Sequence, residues 1–190
     1  IDAGWDIPRI LRVLRDDGYR LTGAFVTHHH FDHVMGLGKL LQEADVPVYV
    51  HEADAPHLHV ARSSLKPLNG GETVTVGGVP VAALHTPGHT PGSQCLRAGP
   101  APGGGAGGRL FSGDTLFIGA CGRCDLPGGD AAQLYESLSK RLRALDDETV
   151  LYPGHHYAEV PHRRLGDEKR DNPFLASATL ADFLHLIGAG

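Results

Sequence analysis

The segment Thr27–His33, with the sequence THHHFDH, places four histidines and a carboxylate within seven residues. It follows a short apolar run and precedes a segment with helical spacing, so we predict that it lies on a strand-to-helix loop. In its extended part, His28 and His30 project to the same side and can reach one ion, whereas Asp32 and His33 begin the helix and face away. This spacing can serve two adjacent metal ions.

Further ligand-type residues stand in later turns, each of which has a predicted strand end and a glycine. These turns are Thr86-Pro87-Gly88-His89-Thr90, Ser112-Gly113-Asp114-Thr115 and Tyr152-Pro153-Gly154-His155. Strand ends of a rigid scaffold commonly present functional groups, so the turns are candidate companions of the THHHFDH segment. Their glycines are predicted to adopt positive φ in tight turns. Imidazole and carboxylate donors suit zinc, iron and manganese alike, so the ligand types do not choose the metal.

The elements that must position these residues alternate between helix and strand. Helical spacing predicts helices over 6–17, 34–44, 131–145 and from Asn172-Pro173 to Leu184. Apolar and β-branched runs predict strands over 21–27, 46–50, 72–76, 79–85, 110–112 and 149–152. The fourth of these strands is expected to form a hairpin with the third about Gly77-Gly78. This alternation predicts a layered α/β or αββα architecture.

Composition predicts one globular domain over residues 1–190 and argues against several function classes. The chain is 41% hydrophobic and 21% charged, and its net charge is −5. That charge does not favour nucleic acid or an anionic membrane as a partner. No apolar run approaches the roughly 20 residues that cross a bilayer. Three cysteines fit a reducing compartment, so we expect a cytoplasmic protein. The Gly/Pro-rich segment Ala98–Gly108 is predicted to be a flexible insertion in a hairpin.

The motifs THHHFDH, TPGHT, SGDT and PGH, in that order, resemble those of the metallo-β-lactamase superfamily. The stretches LFSGDTLFIGACGR and LGDEKRDNPFL are similar to its glyoxalase II branch of hydroxyacylglutathione hydrolases. The resemblance implies an αββα sandwich with the site at one edge of the two sheets, and further strands before Ile1. It also implies ligands for two divalent metals, with zinc favoured over iron or manganese. These ligands are His28, His30 and His89 for the first metal, Asp32, His33 and His155 for the second, and Asp114 as a bridge.

The resemblance implies hydrolysis of an acyl-glutathione type of thioester. Two cations about 3.5 to 4 Å apart can bridge a water and lower its pKa towards neutrality, which creates a hydroxide nucleophile. Asp32 is expected to orient this water and accept its proton. Arg123 and Tyr157 match positions that hold glutathione in the family, so they are candidate substrate-binding residues. Asp125 stands where the family has a tyrosine, and a local salt bridge of Arg123 is an equally weighted alternative.

The stretch CGRCD also resembles persulfide dioxygenases, a sister branch that holds a single iron and oxidises glutathione persulfide. That alternative would use His28, His89 and Asp114 as ligands. The stretch also spells C-x-x-C, but it follows the SGDT turn and the chain has no second such pair, so a redox or zinc role is not favoured. The pair His57-Leu58-His59 is likewise interpreted as having no metal role.

Other polar residues near the motifs are candidates for supporting contacts. Ligating imidazoles need their second nitrogen held, and Asp2, His51 and His85 are candidate partners. His29 should point away from the metal ligands, into a supporting or surface contact. The remaining histidines are expected at the surface: His156, His162 and His185.

Overall fold

The computed structural model describes residues 1–99 and 107–189. Its α-helices are α1 (Ile7–Asp16), α2 (Phe31–Val34), α3 (Leu37–Glu43), α4 (Ala131–Glu136), α5 (Leu165–Asp171), α6 (Pro173–Ala176) and α7 (Leu180–Leu186). Its strands are β1 (Ala24–Phe25), β2 (Val48–His51), β3 (Leu65–Leu68), β4 (Thr73–Val76), β5 (Val79–His85), β6 (Gln94–Ala98), β7 (Arg109–Gly113), β8 (Leu116–Phe117), β9 (Ala120–Cys121), β10 (Val150–Pro153) and β11 (Arg163–Arg164).

A parallel three-stranded sheet in the order β1-β2-β3 forms the first half of the molecule. Alternate side chains along a strand face opposite sides, so each strand supplies two layers. On the outer side, Val26, Val48 and Val50 pack with Ile7 of α1 and Leu37 of α3 in one buried cluster. This cluster fixes both helices that flank the histidine-rich loop.

A six-stranded mixed sheet in the order β11-β10-β7-β6-β5-β4 forms the second half. Its outer face packs Leu110 and Leu151 against Leu134, Leu138 and other apolar residues of the C-terminal helices. A third cluster joins the inner faces of the two sheets through Phe25 and Leu68 on one side and Val81, Ala83 and Leu96 on the other. Helices therefore cover both outer faces of two packed sheets, and the predicted αββα sandwich is confirmed.

Strand direction explains why distant turns meet at one edge. Strand β6 runs antiparallel to both β5 and β7, and β7 runs parallel to β10. The carboxyl ends of β5, β7 and β10 therefore lie at the same edge of the larger sheet. His89, Asp114 and His155 follow these three ends, so the topology delivers them together.

Three helix predictions were too long, because the α-helix is interrupted within each segment. The segment 34–44 breaks at Gly36, where a Cβ would lie 2.6 Å from the Gly4 carbonyl oxygen. The segment 131–145 is α-helical only to Glu136 and continues as a π-helical turn to Leu142. The predicted last helix is instead two helices, α6 and α7, because a capping box at Thr179 begins a new one.

Several strand predictions needed correction as well. Only Ala24–Phe25 of the segment 21–27 pairs as a strand, and no strand was predicted at the positions of β3, β6, β8, β9 and β11. The hairpin about Gly77-Gly78 is confirmed, with both glycines at positive φ.

The Gly/Pro-rich segment Ala98–Gly108 joins the antiparallel strands β6 and β7, which confirms the hairpin around it. Residues 100–106 of this predicted loop lie outside the described residues. Within the described part of the chain, no helix combines the length and apolarity that crossing a bilayer requires.

Candidate metal centre

Two groups of potential ligands meet at the common strand edge. We call His28, His30 and His89 the first triad, and Asp32, His33 and His155 the second triad. In each triad, one donor atom from every side chain lies within 4.8 Å of the others. The structure thus brings together all of the side chains that the sequence predicts as ligands, with Asp114 beside both triads.

The first triad is compact and mostly buried. His28 Nε2 lies 3.1 Å from His30 Nδ1, and His89 Nε2 lies 2.9 Å from the same atom. A tetrahedral ion with bonds of about 2.0–2.1 Å separates its ligand atoms by about 3.3 Å. The triad therefore fits a metal ion with only a slight expansion.

The second triad is more open on one side. His33 Nε2 lies 3.2 Å from His155 Nε2, and Asp32 Oδ2 lies 3.2 Å from His155 Nε2 and 3.6 Å from His33 Nε2. The side chain of His33 is buried, whereas that of Asp32 is 48% exposed. A water or substrate can therefore approach this triad from the Asp32 side.

Asp114 stands between the triads. Its Oδ2 lies 3.7 Å from His89 Nε2 and 3.4 Å from His155 Nε2, and its Oδ1 lies 3.3 Å from His33 Nε2. Oδ1 is buried and makes no hydrogen bond to any described residue. Because a buried carboxylate oxygen without a partner is costly, this atom fits a role as a bridging metal ligand.

Hydrogen bonds to the outer ring nitrogens set which nitrogen of each imidazole faces the centre. His89 Nδ1 donates to the Arg123 carbonyl oxygen over 2.6 Å, and His33 Nδ1 lies 2.9 Å from Asp2 Oδ2. Carbonyl and carboxylate oxygens only accept, so both Nδ1 atoms carry hydrogen and both Nε2 atoms are available as ligands. The prediction that Asp2 supports a ligand agrees with this contact.

A hydrogen-bond relay through Thr27 likewise sets which ring nitrogen of His28 faces the centre. The Thr27 hydroxyl donates to Asp2 Oδ2 over 2.8 Å and lies 3.1 Å from His28 Nδ1. Since the hydroxyl hydrogen is used on Asp2, the oxygen must accept from His28 Nδ1, which leaves Nε2 free to bind a metal. Asp2 thus controls one histidine in each triad, and it does so from a backbone position with φ of 51°.

Burial and neighbouring charges make the ligands suitable donors. Burial, together with the neighbouring imidazoles, lowers the pKa of His28 and keeps it neutral. Burial also opposes the charge of His33, but the neighbouring carboxylates of Asp114 and Asp2 raise its pKa to about 10. For Asp114, burial is outweighed by His33 and the other histidines, so its pKa lies below the ordinary value. In the metal-free protein, the proton on His33 Nε2 is the one that a metal ion must displace.

Glycines let the ligand loops approach each other. Gly88 and Gly113 have the predicted positive φ, but Gly154 does not. Gly154 is needed for space instead, since a Cβ there would lie 2.5 Å from Asp114 Oδ1. At Gly122, a Cβ would lie 1.7 Å from the Asp114 carbonyl oxygen.

The predicted substrate-binding residues lie at the rim of the centre. Arg123 donates from Nε and Nη2 to the two carboxylate oxygens of Asp125, each over 2.9 Å, and both side chains are mostly exposed. Tyr157 is 71% exposed and stacks on His155, with ring centroids 5.2 Å apart. The Arg123 side chain therefore makes the local salt bridge that was the alternative interpretation of the sequence, and its backbone carbonyl accepts the hydrogen bond from His89.

Other predicted roles differ in outcome. His29 faces away from the triads as predicted, with Nδ1 2.9 Å from Asp54 Oδ2 and its ring stacked on His57. The prediction that His51 and His85 hold ligating imidazoles was wrong, because their rings stack on each other with centroids 3.8 Å apart, and His85 Nε2 lies 2.9 Å from the Pro91 carbonyl oxygen. The three histidines expected at the surface are exposed: His156, His162 and His185.

Sequence reasoning missed several supporting residues. The Thr27 relay had a visible signal, because a hydroxyl directly precedes the first ligand. Asp54 had no such signal in the sequence, since it lies in an ordinary polar segment and contacts the ligand loops only in the folded chain. Asn172 is buried, and its amide donates to the Phe117 and Ala120 carbonyls of the β8–β9 hairpin, which ties the NPF motif to the turn after Asp114.

Comparisons with known proteins agree with this geometry. ETHE1 from Myxococcus xanthus has a TM-score of 0.82 and 32% identity, over 96% of this chain and 75% of that one. TTHA1623, solved in a di-iron-bound form, has a TM-score of 0.74 and 36% identity, over 91% and 87%. The probable polyketide biosynthesis zinc-dependent hydrolase BaeB of Bacillus velezensis is 28% identical, over 90% of this chain and 73% of its own.

A family model matches most of the chain, from residue 1 to residue 155, which includes every residue of both triads and Asp114. The matching model is that of the metallo-beta-lactamase superfamily. The αββα sandwich and the meeting of both triads at one sheet edge agree with this match, so the chain belongs to the metallo-β-lactamase superfamily.

Proposed function

We propose that this protein hydrolyses thioesters of the acyl-glutathione type at a centre of two divalent metal ions. The observation that carries the proposal is the pair of complete triads with Asp114 placed between them. A centre built for one ion would not need the second group of converging donors.

The proposed roles follow from the positions of the donors. The first triad would hold one ion and the second triad the other, with Asp114 as a ligand to both. Two such ions supply an acidified water and a polarised carbonyl oxygen. We propose zinc, which the name of the relative BaeB supports, with iron and manganese as alternatives; TTHA1623 is described in a di-iron-bound form.

Asp32 is the proposed proton acceptor. Its carboxylate is half exposed and lies next to His155, so it borders the side from which water and substrate can arrive. A carboxylate in this position can orient the attacking water and take its proton, a role that typically contributes about 10²–10⁴-fold in rate. The products are a carboxylate and a free thiol.

Arg123 and Tyr157 are the proposed contacts for the thiol part of the substrate. The ion pair between Arg123 and Asp125 is exposed, and exposed pairs of this kind contribute little to stability. The guanidinium can therefore exchange Asp125 for a substrate carboxylate at little cost. Tyr157 presents an exposed ring beside His155.

All cysteines in the chain are free thiols, which supports a reducing, cytoplasmic location.

The test combines metal counting with an activity assay. Elemental analysis of protein purified without a histidine tag should give two metals per chain. Acyl-glutathione thioesters should release a thiol that a disulfide reagent detects, and Asp32→Asn should slow this release about 10²–10⁴-fold at saturating metal. Two bound metals without thiol release from any acyl-glutathione would refute the substrate class.

A mononuclear iron persulfide dioxygenase is the second candidate function. The CGRCD stretch favours it, since this stretch resembles that branch, and His28, His89 and Asp114 lie together as its ligands would. This candidate predicts one iron per chain and oxygen uptake with glutathione persulfide. The same elemental analysis therefore separates the two functions.

A further inference from the structure

Asp54 is a buried carboxylate that lies outside both triads. It follows β2, and its side chain is fully inaccessible to solvent. A carboxylate is seldom buried unless several donors satisfy it. Its partners therefore identify what it does.

The partners of Asp54 come from the two loops that carry the first triad. Oδ2 accepts from the His29 backbone N–H over 2.9 Å and from the Thr90 hydroxyl over 2.8 Å. Oδ1 accepts from the Gly92 backbone N–H over 2.7 Å. The fit is close, since a Cβ on Gly92 would lie 2.4 Å from Oδ1.

These contacts lie next to the metal ligands in the chain. His29 stands between His28 and His30, and Thr90 follows His89. One carboxylate thus joins the loop that carries two ligands of the first triad to the turn that carries the third. The second triad takes its ligands from α2 and from the turn after β10, and Asp54 makes no side-chain hydrogen bond or ion pair to either among the described residues.

We propose that Asp54 is a positioning residue that sets the spacing of the first triad and so determines metal affinity there, but not at the second triad. The inference rests on the metal centre of the proposed function. It makes no use of Asp54 as a ligand or as a proton carrier.

The replacement Asp54→Asn tests this role because it is nearly isosteric. Each carboxylate oxygen accepts from a backbone N–H, Oδ2 from His29 and Oδ1 from Gly92, so an amide nitrogen must face an N–H group in either orientation. One hydrogen bond is lost and two donors are forced together, which moves the loop of His29 away from the turn of Thr90. Mutation of groups that hold metal ligands typically costs 10–100-fold in affinity.

The experiment is a titration of the metal-depleted protein with Co²⁺, followed by the visible absorption of the bound ion. The reference variants His30→Ala and His155→Ala each remove one ligand from a different triad and so assign the two binding steps. Asp54→Asn should weaken the first-triad step about 10–100-fold and leave the second within about threefold. The exposed Asp45→Asn, the same chemical change, should alter neither.

A purely structural role would give a different result. Equal weakening at both triads, or no weakening at either, would overturn the inference. If Asp54→Asn does not fold, Thr90→Val and Thr90→Ser decide it, because only serine keeps the hydroxyl that Asp54 accepts. Thr90→Val should then weaken metal binding at the first triad selectively, and Thr90→Ser should keep the wild-type affinity there. Equal affinities in the two variants would overturn the inference.

Failure of the proposed function gives a separate outcome. A wild-type protein that binds a single ion at the first triad refutes the two-metal hydrolase, yet Asp54→Asn must still weaken that ion. A wild-type protein that binds two ions, with unchanged first-triad affinity in Asp54→Asn, refutes only the role of Asp54.

Discussion

Replacement of Asp2 by Asn should impair metal binding at both triads at once, although Asp2 belongs to neither triad. Its carboxylate accepts from Thr27 N over 2.7 Å, from the Thr27 hydroxyl over 2.8 Å and lies 2.9 Å from His33 Nδ1. Asn keeps the shape and also tolerates the positive φ of residue 2, so the backbone is not perturbed. Only the direction of the hydrogen bonds changes.

The magnitude follows from the tautomers. With the amide oxygen on Thr27 N, the amide N–H₂ group faces the Thr27 hydroxyl and His33 Nδ1. Thr27 then donates to His28 Nδ1, and both imidazoles carry hydrogen on Nε2, where a metal must bind. Loss of such supporting contacts costs about 10–100-fold in metal affinity, or about 1.4–2.7 kcal/mol, and we expect it at each triad.

The assay is the same cobalt titration, with Thr27→Val as the comparison. Valine breaks the relay to His28 but leaves His33 on Asp2, so it should weaken the first triad alone. Asp2→Asn should weaken both binding steps. Weakening of the second triad alone by Asp2→Asn would refute the Thr27 relay, and unchanged affinity at both would refute the tautomer argument.

Three further predictions concern the rim, the packing and the titration of the centre. Arg123→Gln should raise KM about tenfold with little change in kcat, whereas Asp125→Ala should lower KM by no more than about fivefold, because an exposed ion pair competes only weakly for the guanidinium; steady-state kinetics with an acyl-glutathione decides. Gly154→Ala should reduce the metal content of both triads, because its Cβ would lie 2.5 Å from Asp114 Oδ1, and elemental analysis checks it. In the metal-depleted protein, the raised pKa of His33, about 10, stabilises the fold below pH 6.5, and this stability is lost as pH rises to about 10. The difference in Tm between the wild-type protein and His33→Gln should therefore shrink across that range. A constant difference in Tm would contradict the prediction.

The convergence of the candidate ligands could be predicted because each follows a strand end, and strand ends are visible in the sequence. His89, Asp114 and His155 all follow a short apolar run and a glycine. Strand direction then brings them to one edge without any further information. The chemistry of the side chains and the topology of the sheet are therefore sufficient for this part of the site.

The helix boundaries were harder to predict, since apolar spacing continues across them. Phe174, Leu175 and Phe183 all pack in or against the same core, although α6 and α7 are separate helices. The capping box of Thr179 and Asp182 is a local signal that the apolar pattern conceals. Propensity and periodicity describe the buried face, but capping decides where a helix begins.

Asp54 could not be predicted as a supporting residue, because its role exists only in the folded chain. It contacts Gly92 across a sequence separation of 38 residues, whereas Asp2, whose supporting role the sequence did suggest, contacts His33 across 31. Nothing local distinguishes Asp54 from an ordinary loop aspartate. Such residues become visible only when the two loops that they join have been placed.

The distribution of the ligands along the chain has a consequence for folding. His30 and His89 are 59 residues apart and His33 and His155 are 122 apart, so each ion would close a long loop and link the two sheets. Loop-closure entropy grows only slowly with length, so the longer closure costs only about 0.6 kcal/mol more than the shorter. We expect both ions to act as cross-links of similar strength that form after the two sheets have assembled, because each triad combines side chains that follow strands of both sheets. Metal supply should then govern how long the folded chain survives more than how fast it folds.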